Sequence, residues 1–160
     1  MIANVLTIAG SDSTGVAGIQ ADLKTFSALG AYGLSVITAL TAQNTRGVRD
    51  VKVIDSNFVV EQIDAVFADV RIDTVKFGMV ATAEIAAAIA DRLRHHDAHN
   101  IVLDPVMVAK SGDALLCEDA VDAIRSQLAP IARVITPNLP EAPTLIADED
   151  VERIYSIQPI

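Results

Sequence analysis

Two carboxylates, Asp104 and Glu141, each follow a β-rich run, in Leu103-Asp104-Pro105 and in Thr136-Pro137-Asn138-Leu139-Pro140-Glu141. Paired oxygen donors of this kind suit Mg²⁺, which keeps waters and shares the phosphates of a substrate. The same positions also fit a strand-end turn before Pro105 and an acid in the first turn of a helix. A glycine-rich stretch, Gly10-Ser11-Asp12-Ser13-Thr14-Gly15-Val16-Ala17-Gly18, feeds a helical pattern. Its free N–H groups and the positive helix end could hold a polar or anionic ligand. It is neither a Walker loop, since Val16 and Ala17 follow Gly15, nor a G-x-G-x-x-G turn. A plain strand-to-helix turn explains Gly10 and Gly15 equally well. Asp22 falls one turn into that helix, where it either complements the helix dipole or faces a ligand. His95, His96 and His99 sit at a helix end that favours cations, and read as solvated side chains rather than metal ligands.

The elements that must position these residues alternate along the chain. β-rich runs at Val5–Ala9, Leu34–Leu40, Val51–Ile54, Thr74–Phe77, Ile101–Asp104 and Val134–Thr136 read as strands. Between them Ile19, Leu23, Phe26 and Leu29 step by three and four, with Gly30 where a C-cap glycine belongs. Phe58, Ile63, Val66 and Phe67 mark a second helix behind Ser56-Asn57. Ile85, Ile89 and Leu93 mark a third, with Thr82 as N-cap and Arg92, Arg94, His95 and His96 near its end. Val121, Ile124 and Leu128 mark a fourth, closed by Pro130. Helices between successive strands call for parallel pairing, hence an α/β fold with an open, mainly parallel sheet flanked by helices. Val51–Ile54 follows its predecessor after a Gln-Asn-Thr-Arg-Gly turn and reads as an edge or flap strand.

In such a sheet ligands bind beyond the carboxyl ends of the strands. The polar and glycine-rich pieces recur there: Gly10–Gly18, Thr41-Ala42-Gln43-Asn44, Gly78-Met79, Asp104-Pro105-Val106-Met107 and Thr136–Glu141. Composition sets the outer limits. The 160 residues form one domain, 1–160, with 51% apolar content, enough to build a core and too much for disorder. A net charge of −9 has the wrong sign for binding nucleic acid or an acidic membrane. No apolar run approaches the about 20 residues of a membrane helix, and Met1–Gly10 reads as a strand rather than a leader. One cysteine forbids an intrachain disulfide and suits a reducing cytoplasm.

Several long strings carry a resemblance. GSDSTGVAGIQADLKTFSALGAYG, TALTAQNTRGV, VRIDTVKFGM, VLDPVMVAKSGD and ITPNLPEA, in order from Val5 to Ala142, resemble the bacterial hydroxymethylpyrimidine/phosphomethylpyrimidine kinases of thiamine biosynthesis, within the ribokinase-like superfamily. The resemblance implies an enzyme that phosphorylates 4-amino-5-hydroxymethyl-2-methylpyrimidine and its monophosphate with ATP and Mg²⁺. It implies that Gln43 hydrogen-bonds the aminopyrimidine, since an amide offers both donor and acceptor. It implies that Asp22 meets the hydroxymethyl or amino end, and that the Gly10 and Ala17 backbone with Met79 and Val106 shape the pocket. A thioether suits a flat heteroaromatic ring. Asp104, with Asn138 and Glu141 of an N-x-x-E pattern, resembles the Mg-ATP site, Asp104 and Glu141 being the metal ligands. The TAQNTRGV segment resembles part of a flap over the substrate, and Lys110-Ser111-Gly112-Asp113 reads as a mobile loop or a simple turn.

The same resemblance exposes departures. The family's first loop usually carries proline after GSD and paired glycines, where Ser13 and Val16 stand here; a β-branched Val16 at positive φ would be strained. The Gly-Thr-Gly anion hole, the following catalytic Cys or Asp, a phosphate-facing lysine and most of the adenine pocket are not found after Asn138, so no catalytic residue is assigned. Cys117 precedes that region and reads as a packing residue. The expectation is the front portion of a kinase, binding pyrimidine with impaired turnover and self-associating, as a homodimer or otherwise, to cover an open sheet edge. A pyridoxal/pyridoxine kinase and a pyrimidine-binding product without catalysis are the rival readings.

Overall fold

The computed structural model describes residues 2–106 and 118–145. Strand β1 (Asn4–Asp12) leads through α1 (Gly18–Ala28) to β2 (Tyr32–Asn44), which turns back into β3 (Gly47–Val53). The chain continues through α2 (Ser56–Asp69), β4 (Thr74–Phe77), α3 (Ala83–His95) and β5 (Ile101–Leu103). After α4 (Glu118–Ala123) come β6 (Val134–Ile135) and the short α5 (Glu141–Leu145). The six strands form one sheet in the order β3-β2-β1-β4-β5-β6. All neighbours pair in parallel except β2 and β3. This is the open, mainly parallel α/β sheet that the alternating pattern calls for.

Strand alternation divides the sheet into two faces. Leu6 and Ile8 of β1, Val75 and Phe77 of β4, and Ile101 and Leu103 of β5 pack with Val59 and Ile63 of α2 and Ile85, Ile89 and Leu93 of α3. That is the main core. The opposite face of β1 and β2 is covered by α1. The crossover through α1 carries the chain from β1 to β2, whereas α3 carries it from β4 the other way to β5. The direction of winding therefore reverses between β1 and β4, which opens a crevice at their carboxyl ends.

Local signals explain the element ends. Gly30 has φ +77, and the bonds Ala31 N to Phe26 O and Gly30 N to Ser27 O form a Schellman cap on α1. Thr82 caps α3 by accepting from Ile85 N at 3.2 Å. The cap of α2 is Asp55, which accepts from Asn57 N, one residue before the expected polar start. The fourth helix is regular only to Ala123; it widens over Ile124–Leu128 and tightens into a turn at Ala129–Ile131, where Pro130 removes a donor. Both strands of the flap run longer than their apolar residues indicate, so Gln43 lies within β2, opposite Val48, rather than after it. Among the described residues no helix is long and apolar enough to cross a membrane.

Candidate functional site

The first loop is built around Asp12. This residue is only 3% exposed. It accepts from Thr14 N and Oγ1 at 2.9 Å, from Ala17 N at 2.9 Å and from Val16 N at 3.2 Å. The amides expected to receive an external anion are thus taken by the chain's own carboxylate. Burial raises the Asp12 pKa, but the donors of Thr14, Ala17 and Val16 outweigh it and hold the group below the ordinary 3.8. Positive φ falls on Gly15 and Gly18, not on Val16, so the feared strain is absent there. Gly18 has no alternative: a Cβ would lie 2.2 Å from Gly10 O.

Next to this loop three charges meet across three elements. Asp22 on α1 and Asp104 after β5 both approach Lys76 on β4, at 3.1 and 3.2 Å. Thr7 of β1 donates its hydroxyl to Asp22 Oδ2 at 2.6 Å, the same oxygen that Lys76 reaches. The Lys76 side chain is 18% exposed and that of Asp22 16%, while that of Asp104 at 37% opens to solvent. Of the two readings of Asp22, the dipole alone does not account for it, since it is tied into the sheet by two specific partners. Lys76 is the functional candidate that the local pattern does not mark. It is one polar residue in a short strand, and its Asp22 partner is 54 positions away.

The remaining pocket candidates gather on the same rim. A Cβ on Gly10 would meet Met79 Sδ at 3.2 Å, so the missing side chain brings the thioether against the β1 backbone. Met79 packs with Ala39 and Ala81, and Val51 of the flap and Val106 lie against that cluster. Thr38 fixes the Met79 carbonyl with a 2.8 Å bond. Gln43 is held by its backbone, whose N–H donates to Ser13 Oγ at 3.3 Å and whose carbonyl accepts from it at 3.2 Å. Its side-chain oxygen accepts from Thr41 Oγ1 at 3.2 Å. Ala17 caps α1 with an extended backbone and an exposed side chain, its N–H spent on Asp12. The rim therefore joins an apolar platform to amide and carboxylate groups.

Asn138 and Glu141 form a capping box. Asn138 Oδ1 accepts from Glu141 N at 2.9 Å, and Glu141 Oε2 accepts from Asn138 N at 3.0 Å. The first-turn acid reading of Glu141 is thus realised, and the residue is 7% exposed. Asp104 and Glu141 follow the adjacent strands β5 and β6, and each has one oxygen engaged, by Lys76 and by Asn138 N. The other oxygen of each has no partner among the described residues. Two hard donors of this kind fit Mg²⁺ that also draws on waters and phosphates, and fit poorly a self-sufficient metal cage. His96 lies 2.6 Å from Asp64 and stacks on Phe67, bonding α3 to α2. Lys110–Asp113, Met107 and Cys117 lie outside the described residues.

An open groove of about 580 Å³ lies elsewhere, between the starts of α2 and α3, lined by Lys52, Ile54, Phe58, Thr82 and Ile85 among others. Several of its polar groups are already paired: Asp55 caps α2, Thr82 caps α3, and Ser56 donates to Glu84 at 2.5 Å. The convergent charges lie instead at the β1–β4 crevice.

Residues 12–158 match the family model described as phosphomethylpyrimidine kinase. The chain belongs to the phosphomethylpyrimidine kinase family. It is 62% identical over 143 residues to the hydroxymethylpyrimidine/phosphomethylpyrimidine kinase of Escherichia coli, covering 89% of this chain and 54% of that protein. It is 51% identical over 157 residues to the kinase of the same description from Haemophilus influenzae, covering 98% and 58%. The chain thus spans about half the length of the curated relatives it matches. A crystal structure of phosphomethylpyrimidine kinase from Clostridium difficile superposes with TM-score 0.86 at 48% identity, covering 95% of this chain and 68% of that one. A pyridoxal kinase from Staphylococcus aureus in complex with AMP-PCP superposes with TM-score 0.79 at 36% identity, over 91% and 52%. The chain thus shares its fold with solved kinases of both descriptions.

Proposed function

We propose that this chain supplies the pyrimidine-recognising part of a kinase that phosphorylates 4-amino-5-hydroxymethyl-2-methylpyrimidine, and its monophosphate, with Mg-ATP in thiamine biosynthesis. The observation that supports the reading is the meeting of Gly10, Met79 and Val106 in one apolar cluster, with Asp22 tied to β1 and β4 and Gln43 at the end of β2, in a chain of this family. The names of the relatives supply the substrate class; the rim supplies chemistry that suits it. Met79 and Val106 offer a flat apolar platform that excludes water from a ring. The Gln43 amide can donate to a ring nitrogen and accept from the neighbouring amino group. Asp22, with Oδ2 held by Thr7 and Lys76, keeps Oδ1 for the amino or hydroxymethyl group of the substrate.

Asp104 and Glu141 are the residues we assign to Mg²⁺, acting with nucleotide phosphates rather than alone. The chemistry the ion supplies when bound is neutralisation of phosphate charge during transfer. The chain's own contribution is one carboxylate after β5 and one at the start of α5, each with an oxygen that has no partner among the described residues. A single domain, cytoplasmic location and self-association belong to the same proposal; sedimentation of the 160-residue chain reads the last of these directly. Calorimetry separates the substrate readings. Hydroxymethylpyrimidine should give saturable heat and pyridoxal weaker heat, whereas the reverse order would favour a pyridoxal kinase.

A further inference from the structure

The Asp22–Lys76–Asp104 cluster does more than balance charge. We infer that Lys76 is a positioning residue that holds the pyrimidine-facing carboxylate Asp22 and the metal-facing carboxylate Asp104 as one unit; the inference rests on the proposed function above. Three observations lead there. First, the ammonium lies 3.1 Å from Asp22 Oδ2 and 3.2 Å from Asp104 Oδ2, so one cation spans α1 and the end of β5 from a strand between them. Second, the Thr7 hydroxyl reaches the same Asp22 oxygen at 2.6 Å. Both tethers thus fall on Oδ2, which leaves Oδ1 as the oxygen available to a ligand. Third, the strand beyond Lys76 makes room for it. A Cβ on Gly78 would come within 3.0 Å of Lys76 Nζ, and Ala9 borders the same point at 3.5 Å. The ammonium therefore rests just past the end of β4, beside Ala9 of β1, between the two strands where the winding of the sheet reverses.

A purely structural ion pair would need one partner. Two carboxylates brought to one ammonium repel each other unless the cation stays between them. A ligand that engages Asp22 and a metal ion that engages Asp104 then act on the same side chain. The positive charge also keeps each acid directional, because charge-assisted bonds fix geometry more tightly than neutral ones. Lys76→Met keeps the length and apolar stem of the side chain and removes the charge, while Lys76→Arg keeps the charge.

The test is calorimetric titration of hydroxymethylpyrimidine into the unaltered chain, Lys76→Met, Lys76→Arg and the double variant Lys76→Met/Asp104→Asn, with a thermal melt of each. The double variant removes the uncompensated carboxylate pair and keeps the test open should Lys76→Met alone fail to fold. We expect Lys76→Met to weaken binding by about tenfold or more. Lys76→Arg should recover most of that loss. The double variant should melt near the unaltered chain yet still bind weakly, because the charge that orients Asp22 is gone. Binding equal to the unaltered chain in either folded Met variant overturns the role of Lys76 alone. Equal losses in Lys76→Arg and Lys76→Met also overturn it, since side-chain shape rather than charge would then be responsible. Absence of heat from the unaltered chain overturns the pyrimidine reading itself, and with it the role of Lys76 toward that ligand.

Discussion

Asp12 and Gln43 show how residues of similar polarity take opposite roles on one rim. Asp12 turns inward and consumes the donors of its own loop, whereas Gln43 is anchored by its backbone to Ser13. Gln43→Ala should therefore leave the loop and the melting temperature nearly unchanged. Loss of an amide that makes paired bonds costs about 1–3 kcal/mol, so pyrimidine binding should weaken by roughly 5- to 150-fold in calorimetry. Unaltered affinity would remove Gln43 from the site. For Asp12 the readout is stability. Its folded-state pKa lies below the unfolded value near 3.8, so the folded chain binds fewer protons between the two. The stability that Asp12 contributes is fully present above about pH 5 and is lost as pH falls through the folded value. Urea titrations of Asp12→Asn should show lower stability at neutral pH and a shallower acid decline than the unaltered chain. The sequence marks Asp12 only as one residue of a glycine-rich loop, because periodicity does not say where a carboxylate turns. Lys76 is hidden for a related reason: its meaning lies in partners on two other elements.

Among the elements, the apolar periodicity locates β1, β2, β4, β5 and three of the helices, because each buries a face in the core. It underestimates the flap, where β3 begins at Gly47 and its polar residues are exposed at the sheet edge. It also overestimates the regular length of the fourth helix, where Pro130 and the widened turn intervene. The β1–α1 connection depends on Gly18 more than on any other loop position. Its φ of +57 and a Cβ position 2.2 Å from Gly10 O leave no room for a side chain. Gly18→Ala should destabilise the chain by more than about 2 kcal/mol. In a chain of this size that lowers the melting temperature by at least about 4 °C. Gly10 itself borders Met79, whose Sδ lies 3.2 Å from its Cβ position, so pyrimidine affinity should fall with it. A melt within a degree of the unaltered chain would show that the loop can re-route.

At the scale of the whole molecule, the rim exists because five parallel strands end together and the winding reverses between β1 and β4. The alternating pattern makes the shared rim legible, since every helical crossover between parallel strands returns the chain to the same end of the sheet. The strand order, and hence which residues become neighbours there, is set by packing that spacing does not encode. The central claim is that an aminopyrimidine binds at this crevice, against Met79, rather than in the groove between α2 and α3. The chain contains only three methionines. Labelling their methyl groups with ¹³C and assigning Met79 by Met79→Leu makes the site readable by NMR in one titration. Addition of hydroxymethylpyrimidine should shift the Met79 methyl signal saturably, with the same midpoint as the calorimetric binding. A saturable heat with the Met79 signal unmoved, or no shift up to millimolar ligand, would contradict the account.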